Sequence, residues 1–187
     1  LITISRNSGE FFDRKIEDDF LLRDDEQALI TRVSDAFHRQ NKRVVVVLNV
    51  GGVIETASWK DKVDAILLAW QPGQEAGSAI ASVLSGAVNP SAKLPTSFAV
   101  NLQSYPSFQG FPGQVLEKAE KQEGLAALFG DAKAAEVIYH DGLNVGYRGL
   151  KSNQLVFPFG HGLSYTEFSY GDVTLEREES SQGYRIK

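Results

Sequence analysis

The chain has 187 residues, a formal net charge of −5, 42% hydrophobic and 23% charged residues, and neither cysteine nor methionine. This is the make-up of an ordinary globular chain, long enough for one domain core or parts of two. It excludes disulfides, thiolate metal sites and cysteine nucleophiles, and an acidic balance without any Lys/Arg cluster gives no footprint for nucleic acid.

His38, His140 and His161 lack metal-ligand spacing, so no metal and no cofactor is expected. The longest apolar run, Val44 to Leu48, is too short to cross a bilayer. The chain opens on an apolar, strand-like stretch, Leu1 to Ile4, and closes on Tyr184-Arg185-Ile186-Lys187, which reads as another strand beginning. A fragment cut at both ends of a larger polypeptide is the expectation.

After the first strand, Asn7-Ser8-Gly9-Glu10-Phe11-Phe12-Asp13-Arg14 puts a carboxylate on a glycine turn. Loops that follow strands are where α/β proteins place chemistry. Asp24-Asp25-Glu26-Gln27 has capping-box spacing with Asp24 at the N-cap. Leu29, Ile30, Val33 and Phe37 follow at helical spacing as far as about Gln40, with Arg39, Lys42 and Arg43 at the end where cations are favoured. Val44 to Leu48 is an unbroken apolar run, the mark of a parallel strand covered on both faces.

The unit then repeats. Trp59 to Val63 reads as a short helical connection, Ala65 to Trp70 as a second buried strand, and Gln74 to Ser85 as a helix with Ala76, Ala79, Ile80, Val83 and Leu84 on one face. Gly77 and Ala81 would let that helix lie close to a sheet, and Gly86 is placed as its C′ residue. Such alternation implies an α/β fold with parallel pairing. Further along, Thr96 to Val100 reads as a last strand, Tyr105 to Gly113 as a loop and Val115 to Phe129 as a polar helix. The alternation of Phe168, Tyr170, Val173 and Leu175 reads as an exposed antiparallel strand.

Other motifs carry little. Gly73-Gln74-Glu75-Ala76-Gly77 lacks the endings of a phosphate loop and reads as a structural turn. Ser8, Ser164 and the histidines form no nucleophile elbow. Glu55, Asp61, Asp64 and Glu75 sit beside element ends, where capping or solvation explains them.

Several separated stretches resemble glycoside hydrolase family 3, mostly β-glucosidases. Ser8-Gly9-Glu10 with Asp13-Arg14 is similar to that family's Ser-Gly-Glu-Gly-Tyr-Asp-Arg loop. Ala65 to Gly77 resembles a core segment of its second domain, and Asn89-Pro90-Ser91-Ala92-Lys93-Leu94-Pro95-Thr96 its Asn-Pro-Ser-Gly-Lys-Leu-Pro-Thr turn. Val145 to Arg148 and Phe157 to Tyr165 match further signatures in the same order. Departures are Phe11-Phe12 for Gly-Tyr, Ala92 for Gly, and Gly149-Leu150-Lys151 for the aromatic-aromatic-Asp after Gly-Tyr-Arg.

The resemblance implies most of an α/β three-layer sandwich with a mostly parallel sheet over residues 1–165, truncated at its N-terminus. Residues 166–187 would begin an all-β domain of fibronectin type III kind. It implies a retaining β-glycosidase, with a β-linked oligosaccharide or an aryl or alkyl β-glycoside as substrate. Glu10 would be the general acid/base, and the nucleophilic Asp would lie on a barrel domain of the same polypeptide. Phe11, Phe12, Asp13 and Arg14 would shape the site. The phenylalanines would disfavour the Glu10 carboxylate, and Asp13 and Arg14 would pair, either to fix the loop's exit or as a surface ion pair of little energetic value. His140-Asp141 is expected at a domain contact. The chain alone is expected to be inactive, and a homodimer is left open. The alternatives are a non-catalytic carbohydrate-binding or assembly module of the same fold, or a flavodoxin-like regulatory domain.

Overall fold

The computed structural model describes residues 1–7, 13–119, 133–177 and 184–186. Strands β1 (Ile2–Ser5), β2 (Val45–Asn49) and β3 (Ala65–Leu68) form a parallel sheet in that order. Ile2 pairs with Val46 and Ser5 with Asn49, while Val45 pairs with Ala65 and Leu48 with Leu68. Alternate residues point to one face, so Ile2, Ile4, Val46 and Leu48 meet Leu22, Ile30, Ile54 and Trp59 in a single buried cluster. Trp59 is only 1% exposed, and its indole N–H donates to the Glu55 carbonyl at 2.8 Å, so its one polar atom is satisfied inside the core.

Helix α1 (Asp24–His38) crosses between β1 and β2. Its N-cap is Arg23, one residue before the expected Asp24. The capping carboxylate is Glu26, which accepts from the Arg23 backbone N–H at 3.0 Å. Glu26 wins because it is also held by Arg6, which Gln27 cannot offer. The buried stripe is Ile30 and Ser34 with Val33 partly covered, whereas Leu29 and Phe37 of the expected face are 37% and 42% exposed. Past the helix, Asn41 takes the left-handed conformation (φ 54°), and the Lys42 N–H closes back on Phe37 O at 3.0 Å. Asp64 ties this end to the sheet, accepting from Val44 N–H, His38 Nε2 and Arg43 Nη1 at 2.7, 2.8 and 2.9 Å. Those bonds, the backbone one first, hold its carboxyl well below the usual range.

The connection between β2 and β3 contains a 3-10 turn over Lys60–Lys62, as the sequence implied. Helix α2 (Ala76–Leu84) follows, with Gly86 at φ 79° as its C′ residue. Gly77 does not serve close packing: a Cβ there would meet nothing within 4 Å, and Ala81 is exposed. The side nearer the protein is formed instead by Ile80, Val83 and Leu84, which are half-buried.

Strand β4 (Phe98–Ala99) pairs antiparallel with β7 (Leu155–Phe157), placing the Phe98 and Phe157 rings 6.1 Å apart, edge to face. Tyr105 clasps β4, donating to Ser97 O at 3.0 Å and accepting from Ala99 N–H at 3.1 Å; burial pushes its phenol pKa up. Over residues 115–119 the expected polar helix is replaced by a strand. β5 (Gln114–Ala119) and β6 (Lys133–Glu136) pair antiparallel, and the rest of that expected helix lies outside the described residues. The strands approach so closely at Gly113 (φ 95°) that a Cβ would lie 2.7 Å from Glu136 O, and this backbone pairing overrides a weak local helix preference. Residues 166–174 are not a strand either. Antiparallel pairing begins only at β8 (Leu175–Arg177) with β9 (Tyr184–Ile186). Phe168, Tyr170 and Val173 are all more than 70% exposed, so their alternation has no apolar face to bury against among the described residues.

Candidate active site at the carboxyl edge of the sheet

Parallel strands end on one edge together, and ligands of open α/β sheets bind there. The carboxyl ends of β1, β2 and β3 hold an open polar cleft of about 510 Å³ lined by Ser5, Arg6, Asn7, Asn49 and Gln71. The Arg6 N–H extends the ladder to Asn49 O at 3.0 Å, so the chain is still in sheet register one residue before Asn7. On the far side, Trp70 leaves β3 with φ 54°. That region is unfavourable for a bulky side chain. Packing against the core and the Phe98 ring at 6.2 Å accompanies it, and the chain turns into Gln71.

Glu10, Phe11 and Phe12 lie outside the described residues, as do Ser8 and Gly9. Both flanks of that loop are described. At its entrance Arg6 is buried, and its guanidinium grips Glu26 with two bonds of 2.6 and 2.8 Å while donating to Ser5 O and Asp19 O at 2.8 and 2.9 Å. Partial burial alone would raise the Glu26 pKa, but the Arg6 bond, the Arg23 N–H and the nearby positive charges outweigh it, and the net shift is downward.

At the exit Asp13 is exposed, and Arg14 does not pair with it. Arg14 instead reaches Asp19 Oδ1 with Nε and Nη2 at 2.9 and 2.7 Å and Val53 O with Nη1 at 2.8 Å. A planar fork can be satisfied by acceptors on two different segments, whereas its immediate neighbour could offer one strained contact. Gly52 makes room for it, since a Cβ there would sit 2.7 Å from Arg14 Nη1.

The remaining carboxylates cap and brace. Glu55 accepts from Ser58 N–H and Oγ–H, both at 2.7 Å, Glu75 accepts from Ser78 Oγ at the start of α2, and Asp61 pairs with Lys60. Two further signature segments, 89–96 and 157–165, meet each other. Leu94 N–H donates to His161 O and Gly160 N–H to Leu94 O, at 2.8 and 2.9 Å, while Asn89 Oδ1 accepts from Tyr165 N–H at 2.8 Å. Ala92 is not in the left-handed region, so the alanine strains nothing there. Tyr147 stacks on Phe159 at 4.4 Å. The next departure, Gly149, lies where a Cβ would be 2.3 Å from Pro106, so the aromatic found there in the family pattern has no room.

Residues 1–165 match the Glycosyl hydrolase family 3 C-terminal domain. The chain belongs to that family. It is 42% identical over 132 residues to beta-glucosidase B of Emericella nidulans, covering 68% of this chain and 14% of that protein. It is 39% identical over 152 residues to thermostable beta-glucosidase B of Acetivibrio thermocellus, covering 80% and 18%. Beta-glucosidase 3B of Thermotoga neapolitana, solved with glucose, superposes with a TM-score of 0.79 at 43% identity, covering 95% of this chain and 23% of that one. The chain therefore spans less than a quarter of the length of these relatives. The fold is the family's α/β C-terminal domain, and the sequence signatures mark segments that build it.

Arg6, Asp19, Glu26 and Gly52 were not legible as site residues in the sequence. Glu26 was visible as part of a capping box. Nothing local marks a pair separated by a whole loop and turn.

Proposed function

We propose that this domain works within a retaining β-glycosidase, a β-glucosidase in its relatives' pattern, and supplies Glu10 as the general acid/base. The observation that carries this reading is that Arg6 and Arg14, on either side of residues 8–12, are both anchored, and that Ser5, Arg6 and Asn7 line a polar cleft at the strand carboxyl ends. Membership of a family whose named relatives are beta-glucosidases supports the chemistry.

Retaining hydrolysis needs two carboxyl groups about 5–5.5 Å apart across the scissile bond. In this proposal the nucleophile comes from another domain of the same polypeptide. Glu10 protonates the departing oxygen and later takes a proton from the attacking water. Asn7, Asn49 and Gln71 offer amide donors and acceptors of the kind that suit sugar hydroxyls. Residues 166–187 begin a following β domain, a reading supported by the end of the family match at 165 and by the antiparallel β8–β9 pair.

The test is Glu10→Ala in the full-length enzyme, on a cellobiose-like substrate and on a 2,4-dinitrophenyl β-glucoside. General acid catalysis is worth about 10²–10⁴-fold, so kcat/KM on the first substrate falls by that factor. The activated substrate, whose leaving group needs no proton, is nearly unchanged in kcat/KM, and azide restores turnover. Equal small losses on both substrates would mean that the proton donor lies elsewhere.

A further inference from the structure

We propose that Asp19 is the positioning residue of the acid/base loop, tying its entrance and its exit to one fixed point. The proposal rests on the assignment of Glu10 above. Arg6 stands four residues before Glu10 and Arg14 four residues after it. Both guanidinium groups converge on Asp19: Arg6 Nε donates to its carbonyl at 2.9 Å, and Arg14 Nε and Nη2 donate to its carboxylate at 2.9 and 2.7 Å. One residue thus receives both stems of the loop, one through its backbone and one through its side chain.

Asp19 is itself immobilised. It sits in a tight turn over Ile16–Phe20, closed by Phe20 N–H to Lys15 O and Leu21 N–H to Ile16 O at 3.1 and 2.8 Å, with Asp18 at φ 62°. Phe20 and Leu22 are buried at 7% and 4% exposure, and Phe20 O accepts from Glu55 N–H at 2.8 Å. The turn is therefore nailed to the core immediately beside the residue that holds the loop. The pair Arg14–Asp19 is about three-quarters buried on each side, and Arg14 is further fixed on Val53 O. A charge-assisted fork of this kind fixes direction as well as distance.

A proton donor displaced by about 1 Å can lose on the order of 100-fold in rate. The Asp19 carboxylate is taken up by Arg14, so its loss should act through the placement of Glu10. In the full-length enzyme, Asp19→Ala is expected to lower kcat/KM on a cellobiose-like substrate at least about 10-fold, and on a 2,4-dinitrophenyl β-glucoside less than about 3-fold. The basic limb of the pH profile of kcat/KM should move. Azide should not rescue, because the Glu10 carboxyl remains. Asp19→Asn, which keeps the volume and the carbonyl for Arg6, and Arg14→Lys, which keeps charge without the fork, should show the same leaving-group dependence more weakly. These two variants carry the test if the alanine variant does not fold.

Equal losses on both substrates with an unmoved pH limb would make Asp19 merely structural and overturn the proposal, as would no loss at all. Glu10→Ala is assayed in parallel. If it shows strong leaving-group dependence and the Asp19 and Arg14 variants do not, only the positioning role fails. If Glu10→Ala itself shows none, the acid/base assignment fails and the positioning role falls with it.

Discussion

Glu26→Ala should be among the most destabilising single changes available at the cleft. Glu26 and Arg6 form a two-bond ion pair whose side chains are only 12% and 5% exposed. Removing one partner of a buried pair costs about 3–5 kcal/mol, because the other charge stays buried. Arg6 would keep two carbonyl acceptors, on Ser5 and Asp19, which places the cost at the lower end, near 3 kcal/mol. Loss of the cap on the Arg23 N–H adds about 1 kcal/mol. Urea titration followed by tryptophan emission reads this directly, since Trp59 lies in the same core. With a slope of about 2 kcal/mol/M, the midpoint should fall by roughly 1.5–2 M. Arg6→Met combined with Glu26→Leu should recover much of the loss, because no charge is then left unpaired. A cost below about 1 kcal/mol, or single-variant effects that add within about 0.5 kcal/mol, would show that the pair is not coupled and refute this account. The pH dependence has a fixed sign. The Glu26 pKa is lowered on folding, so its contribution is complete above its unfolded value of about 4.5 and is lost as pH falls through the lower folded value. Glu26→Gln should flatten the acid side of the stability profile.

Two other substitutions test the packing. Ser34 is 2% exposed within α1, and its hydroxyl has no hydrogen-bond partner among the described residues. Ser34→Ala should therefore stabilise by about 1 kcal/mol, read as a higher urea midpoint, and a loss of stability would show that the hydroxyl is satisfied. Gly162→Ala would put a Cβ 2.4 Å from Ala92 O, a backbone atom that cannot swing aside. It should cost about 1–3 kcal/mol and lower the melting temperature, and an unchanged melting temperature would mean that these two segments do not dock as described.

What could be read from the sequence was what local pattern controls. The runs Leu1 to Ile4, Val44 to Leu48 and Ala65 to Trp70 became the strands Ile2–Ser5, Val45–Asn49 and Ala65–Leu68 because apolar and β-branched residues dominate them, with only Ser5 and Asn49 polar at the strand ends. Gly86 stopped α2 as expected, through a positive φ that a side chain resists. Failures came where a distant partner decides the outcome. Gln114–Ala119 is short, polar and helix-tolerant, and only Lys133–Glu136 makes it a strand. Arg14 chose Asp19 and Val53 over its neighbour Asp13 because folding brings both acceptors to the plane of its guanidinium. Glu26 capped α1 instead of Asp24 for the same kind of reason, since it is held from two directions.

The signature segments differ in what they do, and that difference bears on how family membership should be used. Asn89–Thr96 and Phe157–Tyr165 lock together through backbone bonds, with Ser97 Oγ accepting from Phe159 N–H at 3.0 Å and Tyr165 O–H reaching Val83 O at 2.9 Å. Gly162 and Gly149 are required there by close approach, not by chemistry. A chain could keep all of these and still be catalytically empty, because they specify how the sheet and its flanking segments assemble. The carboxyl edge is different: its cleft is polar, a bulky residue is held at an unfavourable φ on one side, and two arginines are committed on the other. The apolar core itself is built from Ile2, Val46, Ile30, Trp59 and their neighbours, and holds Trp70 against its edge. Unfavourable backbone angles and buried charge persist only where surrounding structure sustains them, and they concentrate at functional sites. That concentration is why the loop carrying Glu10, and not the more extensive signatures, is where a loss of activity should be sought.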